Sequence, residues 1–348
     1  MREAEFYQAL PNGDLQCQLC PHFCLISPGE LGRCRSRKNQ AGKLLAINYG
    51  ETVSLSLDPI EKKPLYHFYP GSQILSLGAN GCNFACSFCQ NYQISQSQVP
   101  TRKITPNEIV QLCSKYQVNS VAFTYTEPFI WYEFVLDSAK ILRAAEIEVV
   151  LVSNGFINPA PLKKILPFIS AMNIDLKAYD DDFYQKYCAG KLAPVLQTIQ
   201  IAAPVCHLEI TNLLISGLND SQQQIESLVD FIYQIDPQIP LHFSRYYPCY
   251  KMDLPATKFS VLQQAARWAE KLAHVYLGNV AADDSIYCAN CGKLLIERQS
   301  ATNNLANGKC KFCGQKLYGK YIPQTAMVET AKLDKTGLQS DQQPTKIC

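Results

Sequence analysis

The run Gly81-Cys-Asn-Phe-Ala-Cys-Ser-Phe-Cys-Gln90 places Cys82, Cys86 and Cys89 in a Cys-x3-Cys-x2-Cys spacing. Three soft thiolates favour an iron–sulfur cluster or zinc over hard cations. A cubane cluster normally takes four cysteines, so three ligands would leave one iron open to bind something else. Zinc also stays open at this point, because a tetrahedral zinc site can take a distant His or Cys as its fourth ligand.

From residue 72 to residue 280, short β-branched runs alternate with longer helical patterns, which is typical of βαβ units and a parallel sheet. The predicted strands are Ile74–Leu77, Ser120–Tyr125, Glu148–Ser153, Met172–Leu176, His207–Ile215 and Leu241–Arg245. The predicted helices are 105–117, 129–146, 159–169, 192–203, 221–236 and 257–274. The sequence therefore predicts an α/β fold built on a partial, TIM-like (β/α)6 barrel, whose functional residues gather at the carboxyl ends of the strands.

Two further groups of cysteines flank this barrel. We expect an N-terminal Cys-rich module over residues 1–71, the barrel over 72–280, a zinc-ribbon module over 281–327 and a disordered polar tail over 328–348.

The composition excludes some classes of protein. The chain has 348 residues and a net charge of +2, so its charge indicates neither nucleic acid nor a membrane as a partner. The N-terminus lacks the apolar region of a secretory signal, and no apolar run reaches membrane-spanning length. We therefore expect a cytoplasmic protein, in which 16 cysteines indicate metal ligands rather than disulfides.

The second predicted strand is followed by Thr124-Tyr-Thr-Glu-Pro128. Pro128 disfavours a helical conformation at Glu127, so the carboxylate should project over the same sheet edge as the cysteine loop. A solvated surface glutamate is the alternative.

Further polar candidates follow or lie within the later strands: Ser153, Asn154, Asp175, Lys177 and His242. Ser153 and Asn154 could hydrogen-bond a ligand, although Asn-Gly turn chemistry explains this pair equally well. Because side chains alternate along a strand, Asp175 and Lys177 lie on one face, where their charges need a partner. That partner is either a bound ligand or, as the alternative, an ion pair between the two residues. A lone strand histidine is more often structural, and His242 is included because it joins this group. With these groups at one edge, the open position of the three-cysteine loop is better explained by a bound ligand than by zinc.

Cys82, Cys86 and Cys89 and their spacing resemble the cluster motif of the radical S-adenosylmethionine (SAM) superfamily. The stretches CQLCPHFCLISPGELGRC, DPIEKKPLYHFYPGS, GCNFACSFCQNYQIS, NIDLKAY and LLISGLND resemble the AmmeMemoRadiSam system radical SAM enzymes, which are related to the activating enzymes of glycyl radical enzymes such as pyruvate formate-lyase. The resemblance implies a radical SAM barrel with a 4Fe–4S cluster on the three cysteines. It also implies that Glu127, Ser153, Asn154, Asp175, Lys177 and His242 bind SAM.

The resemblance further implies reductive cleavage of SAM to a 5'-deoxyadenosyl radical, driven by an external one-electron reductant. The radical would abstract hydrogen from an unknown substrate. That substrate is either the glycine of a glycyl radical enzyme, or a protein or small molecule handled alongside Memo-like and AMMECR-type partners. A non-catalytic iron–sulfur electron carrier is the alternative from another class.

The C-terminal cysteines Cys288, Cys291, Cys310 and Cys313 form two Cys-x2-Cys pairs with zinc-ribbon spacing, which predicts a structural zinc. A rubredoxin-like iron is the alternative, since the same pairs hold either metal. The N-terminal set consists of Cys17, Cys20, Cys24 and Cys34. Zinc is the preferred interpretation there, a second iron–sulfur cluster is the alternative, and free thiols come third. The remaining cysteines are scattered and are predicted to be small hydrophobic or inert residues, with Cys249 as the least certain: Cys113, Cys188, Cys206, Cys249 and Cys348.

Overall fold

The computed structural model describes residues 1–298 and 302–321 of the chain. The predicted disordered tail, residues 328–348, lies outside the described residues, as do residues 322–327 at the end of the predicted C-terminal module. No helix within the two described stretches is both long and apolar enough to cross a membrane.

The N-terminal part consists of short antiparallel strands. They are β1 (Arg2–Glu3), β2 (Tyr7–Ala9), β3 (Leu15–Cys17), β4 (Leu25–Ile26), β5 (Arg37–Gln40), β6 (Lys43–Ala46) and β7 (Glu51–Thr52). Strands β2, β3 and β4 form one small sheet, and β1, β6 and β5 form another. The N-terminal cysteines lie in and between these strands.

An eight-stranded sheet forms the centre of the molecule. In chain order the next strands are β8 (Ser54–Pro59), β9 (Gln73–Gly78), β10 (Arg102–Lys103), β11 (Ser120–Phe123), β12 (Glu148–Ser153), β13 (Ala171–Asp175), β14 (His207–Leu214), β15 (Leu241–Arg245) and β16 (Val275–Gly278). The spatial order of the sheet is β16-β15-β14-β13-β12-β11-β9-β8, and β10 pairs with β7 outside it. Neighbours are parallel except β8 and β9, which are antiparallel. The predicted α/β fold is confirmed, and all six predicted strands belong to this sheet.

Helices connect the parallel strands. They are α1 (Tyr92–Ser95), α2 (Pro106–Tyr116), α3 (Tyr132–Ala144), α4 (Pro159–Ile165), α5 (Asp181–Phe183), α6 (Leu192–Ala202), α7 (Gln222–Ile235) and α8 (Phe259–Trp268), with 3-10 turns at Ile60–Lys62, Pro128–Trp131 and Leu166–Phe168 and a π-helical turn at Tyr184–Cys188. Helix α2 begins where its sequence predicts, because Thr105 accepts from the Glu108 amide at 3.3 Å and the Glu108 carboxylate accepts from the Thr105 amide at 2.6 Å. Such a capping box satisfies amides that the first turn of a helix leaves free.

The two faces of the central sheet are covered by different parts of the chain. Successive strand residues point to opposite faces. One set packs in the main core with the helices: Leu75, Leu77, Val121, Phe123, Val149, Leu151, Met172 and Ile174. The alternate set packs against Ile60, Leu65 and Phe68 of the segment before β9: Ile74, Ala122, Val150 and Ala171. The segment over residues 60–69 therefore closes the second face near the amino ends of the strands.

The C-terminal part is a small β structure with its own core. Its strands are β17 (Ile286–Tyr287), β18 (Leu294–Glu297), β19 (Thr302–Asn303), β20 (Leu305–Ala306) and β21 (Lys309–Cys310). It joins the segment over residues 60–69 through backbone hydrogen bonds from the Tyr69 amide to the Lys320 carbonyl (2.7 Å) and from the Lys320 amide to the His67 carbonyl (2.8 Å).

Candidate functional site

The cysteine loop directly follows β9 at the carboxyl end of the sheet, as the sequence predicts. The amide of Phe84 donates to Cys82 Sγ at 3.4 Å, and Cys89 Sγ lies 3.1 Å from Ser95 Oγ. Gly81 has a φ of +99°, and a Cβ there would collide with the carbonyl oxygen of Cys34. Only glycine meets both demands, so the loop is held closely against the N-terminal part of the chain.

Glu127 links the ends of β11 and β12. One carboxylate oxygen accepts from Ser153 Oγ at 2.8 Å and from the Phe129 amide at 3.0 Å, and the other accepts from the Asn154 amide at 2.8 Å. The side chain is 1% exposed, so it is not a solvated surface glutamate. Burial raises the pKa of Glu127 to about 7, although these three hydrogen bonds favour the charged form.

Asn154 and Asn83 connect this network to the cluster loop. Asn154 Nδ2 lies 3.7 Å from Cys82 Sγ and donates to Asn83 Oδ1 at 2.8 Å. Asn83 in turn donates to the carbonyl of Phe156 at 2.8 Å. Asn83 was not among the predicted site residues, although it directly follows the first cysteine of the motif.

Asp175 and Lys177 lie on the Cys86 side of the loop. They form an ion pair of 3.2 Å between Lys177 Nζ and Asp175 Oδ2, and Lys177 Nζ lies 5.9 Å from the centre of the Phe88 ring. Burial opposes the charge of Lys177, but Asp175 and Cys86 outweigh it and raise the pKa of the ammonium well above its ordinary value. A partly buried ammonium beside the cluster loop favours binding of an anionic group.

Two of the scattered cysteines lie against the same loop. The thiol of Cys188 hydrogen-bonds Cys86 and lowers the pKa of Cys86. The carbonyls of Cys188 and Tyr187 accept from the amides of Ala85 and Ser87, both at 2.9 Å. Cys249 Sγ lies 3.7 Å from the Cys89 carbonyl. Cys188 lies at the end of the π-helical turn and Cys249 in the loop after β15, both far from the cluster loop in the sequence. No cysteine spacing in the sequence could therefore have indicated these contacts.

His242 lies apart from these groups, in a buried network around Glu209. It is the second residue of β15, and its Nε2 is 2.7 Å from the Glu209 carboxylate. The same carboxylate lies 2.9 Å from His207 Nε2 and accepts the amides of Tyr66 (3.0 Å) and His67 (2.7 Å). Burial opposes the charge of Glu209, but the hydrogen bonds to His207 and His242 hold its pKa well below the usual range. The structure thus gives His242 a hydrogen-bond partner near the amino ends of the strands.

The C-terminal cysteines Cys288, Cys291, Cys310 and Cys313 could hold a metal ion, because their four sulfur atoms all lie within 4.8 Å of one another. The pair Cys288 and Cys313 is 3.6 Å apart, and the pair Cys291 and Cys310 is 3.7 Å apart. This is a closed group of four ligands.

The N-terminal cysteines have a different arrangement. All four line one small cavity: Cys17, Cys20, Cys24 and Cys34. His22, Arg37 and Asn83 also line it. The presence of Asn83 in the wall means that this cavity borders the cluster loop.

Comparisons with known proteins single out the sheet and the loop. A family model described as the radical SAM superfamily matches residues 77–232, from the end of β9 into α7. An uncharacterised protein of Methanocaldococcus jannaschii is 42% identical over 332 residues, covering 91% of this chain and 99% of that protein. The pyruvate formate-lyase-activating enzyme of Staphylococcus epidermidis is 23% identical over 183 residues, covering 48% of this chain and 71% of that enzyme. A solved domain of a pyruvate formate-lyase-activating enzyme from Bacteroides vulgatus aligns with a TM-score of 0.41 at 22% identity, covering 46% of this chain and 98% of that domain.

Proposed function

The chain belongs to the radical SAM superfamily, and from this premise we propose that it is an enzyme that cleaves SAM reductively at a 4Fe–4S cluster held by Cys82, Cys86 and Cys89. The family implies SAM and an iron–sulfur cluster, and the donor set fits them. Three soft thiolates meet the need of the cluster for sulfur ligands, and polar groups from three neighbouring strands converge on the same loop. When bound, the reduced cluster supplies the electron that splits SAM into methionine and a 5'-deoxyadenosyl radical.

The contact between Asn154 and Cys82 carries this proposal, because it connects the cysteine loop to a preorganised polar site. An ionised carboxylate offers about four lone-pair positions, and three hydrogen bonds to Glu127 leave one for the ammonium of SAM. Glu127 also holds the backbone of Asn154 in place, because its carboxylate accepts a hydrogen bond from the backbone amide of Asn154. Lys177, held by Asp175, provides a positive charge for the carboxylate of SAM on the Cys86 side.

His242 has no part in this proposal. Its Nε2 is already engaged by Glu209, and its ring packs against Tyr66 and Tyr276 with centroid distances of 4.7 Å and 5.3 Å. Its earlier assignment to SAM stays a prediction from the resemblance.

The experiment is SAM cleavage by anaerobically reconstituted protein with dithionite, followed by mass spectrometry of 5'-deoxyadenosine. We expect the wild type to form 5'-deoxyadenosine and Cys86→Ala to lose it. Cys113→Ala is the matched control, since Cys113 is a buried cysteine of α2, and should retain activity. Absence of 5'-deoxyadenosine from wild-type protein with confirmed iron loading would contradict the proposed SAM cleavage. It would favour the alternative, a non-catalytic iron–sulfur electron carrier.

The substrate is proposed more broadly, as a group with an abstractable hydrogen. The likeness to a pyruvate formate-lyase-activating enzyme supports activation of a glycyl radical enzyme. The alternative is a substrate handled with Memo-like and AMMECR-type partners; these partners, the external reductant and a cytoplasmic location stay predictions. Deuterium transfer from labelled candidates into 5'-deoxyadenosine distinguishes the two.

For the C-terminal cysteines we propose a structural zinc. A tetrahedral zinc with Zn–S bonds of about 2.3 Å spaces its sulfur ligands about 3.8 Å apart. The sulfur separations of 3.6 Å and 3.7 Å in the structure fit this geometry. Zinc in purified protein, lost on mutation of Cys310, would test it.

A further inference from the structure

We propose that Cys17, Cys20, Cys24 and Cys34 hold a second iron–sulfur cluster, next to the loop of Cys82. The four thiols line one cavity. Four cysteines around one cavity provide the complete ligand set of a cubane cluster.

The separation of the sulfur atoms argues for a cluster rather than for a single zinc ion. A zinc ion draws four sulfurs onto one atom, whereas a cubane binds each sulfur at a different corner and spreads them further apart. Among the residues that the structure describes, the C-terminal group alone has three or more His, Cys, Asp or Glu ligand atoms within 4.8 Å of one another. The N-terminal sulfurs therefore share a cavity without converging on one point, and this arrangement suits the separate corners of a cubane.

The backbone around these cysteines is built to receive ligated sulfur. Amides two residues further along donate to three of the sulfurs: Leu19 to Cys17, His22 to Cys20 and Ser36 to Cys34. Hydrogen bonds to the sulfurs are one of the means by which proteins tune iron–sulfur clusters.

Two residues other than glycine also adopt a left-handed backbone conformation next to these cysteines. Phe23, before Cys24, has a φ of 45°, and Arg35, after Cys34, has a φ of 60°. Such conformations cost free energy and persist where the surroundings fix them, often at ligand sites.

Arg37 supplies an independent sign of an anionic ligand. Its guanidinium is 1% exposed and lines the same cavity. Nη1 donates to Glu133 at 2.7 Å, whereas Nε and Nη2 are buried without a hydrogen-bond partner among the described residues. Buried donors without acceptors are costly. A thiolate-ligated cluster carries negative charge, and the cavity that would hold it is lined by this arginine.

The position of the site gives it a role. His22 Nε2 lies 2.8 Å from the carbonyl of Asn83, and Arg35 donates to the carbonyls of Ser95 and Gln96 at the far end of the cluster loop. The two cysteine sites therefore adjoin each other. An external low-potential one-electron donor reduces the second cluster, which is oxidised again when that electron passes to the cluster of the loop. This role rests on the proposed function, whereas the site itself does not.

The test compares two variants of the full chain after anaerobic reconstitution. The first is the triple variant Cys82→Ala, Cys86→Ala, Cys89→Ala, and the second is Cys17→Ser, Cys20→Ser. Iron, acid-labile sulfide and zinc are measured per chain, and the dithionite-reduced proteins are examined by electron paramagnetic resonance with and without SAM.

We expect about eight iron atoms per wild-type chain, four for each cubane, and about half of them in each variant. The triple variant should keep a signal that SAM does not change. A triple variant that is free of iron, with two zinc ions per wild-type chain, would overturn the second cluster. If the N-terminal variant fails to fold, the triple variant and the wild-type iron count still decide.

The same measurements separate this inference from the proposed function. If the triple variant keeps its iron but the N-terminal variant has no SAM-responsive signal, the second cluster stands and the SAM-cleaving site fails. The reverse pattern leaves the SAM site intact and removes the second cluster.

Discussion

The two four-cysteine groups use the same ligands, yet they differ in the spacing of those ligands and in their surroundings. In both, an amide two residues further along donates to a sulfur, as Leu19 does to Cys17 and Lys293 does to Cys291. The C-terminal sulfurs converge on one point, whereas the N-terminal sulfurs surround a cavity. Ligand type and number therefore leave the identity of the metal open, and the separation of the ligands restricts it.

The two groups also differ in how they are attached to the central sheet. The N-terminal part is joined to α3 by the buried ion pair of Arg37 and Glu133. Arginine stays charged at any pH that a protein meets, so acid can break this pair only by protonating the carboxylate. The C-terminal part contacts the sheet through the ring of His67, whose nitrogens lie 2.7 Å from the Tyr276 hydroxyl and 2.9 Å from the Tyr321 hydroxyl. The second attachment should be the more sensitive to acid.

The largest effect is expected from Cys310→Ser, which removes one ligand of the tight group. The module has a core of only seven buried residues, so its fold should depend on the metal. Structural zinc contributes about 10–16 kcal/mol to such small units. We expect loss of zinc and rapid proteolysis within residues 286–321, measured by metal analysis and mass spectrometry of the fragments.

The matched control for this prediction is Cys113→Ala, which should keep both the zinc and the protection from protease. A Cys310→Ser protein that is free of zinc but equally resistant to protease would show that the C-terminal module folds on its small core alone. That result would remove one side of the comparison.

The next largest effect is expected from acid, which should weaken the contact between the C-terminal part and the central sheet. The ring of His274 packs against that of His67, with 4.2 Å between the ring centroids, so both belong to this contact. Burial lowers the pKa of His274 to about 4 and that of His67 well below its ordinary value. Both bind protons more readily when unfolded, so this stability is fully present above pH 6.5 and is lost as the pH falls towards 4. For His274 the shift corresponds to roughly 3 kcal/mol, at about 1.4 kcal/mol per pKa unit.

Protease sensitivity of the C-terminal module measured from pH 7 to pH 5 tests this. His274→Gln should flatten the dependence, because glutamine does not titrate in this range. The N-terminal attachment should resist protease equally across the same range. Equal acid sensitivity of the two modules would show that the attachments do not differ as the residues suggest.

Much of the fold could be predicted from the sequence, because βα alternation is a local pattern. The predicted and observed bounds of β12 agree, and α2 begins at its capping box. Two edge strands were missed. Strand β8 is antiparallel and lies outside the βα rhythm, and β16 has only four residues after the last predicted helix.

The site was partly predictable for a related reason. Glu127 and Asn154 follow the carboxyl ends of parallel strands, so their place beside the cluster loop could be predicted. Cys188 could not be predicted, because its contact with Cys86 depends on how a helical turn distant in sequence packs. For His242, the alternation of side chains predicted the face of the sheet but not the position along the strand. The residue lies near the amino end of β15, away from the cluster loop.

The smallest effect is expected from Cys188→Ala, and it tests how many cysteines the loop site uses. Cys188 is fully buried and hydrogen-bonds Cys86, so it is the nearest candidate for a fourth protein ligand. Lys177 beside it and the backbone contacts to Ala85 and Ser87 indicate instead that Cys188 supports the loop. We expect a loss of about 1 kcal/mol in the free energy of unfolding, with unchanged iron and with SAM cleavage within about twofold of wild type. Loss of the loop cluster in this variant, equal to that in Cys86→Ala, would make the site a closed four-cysteine group like the other two and leave no iron open to SAM.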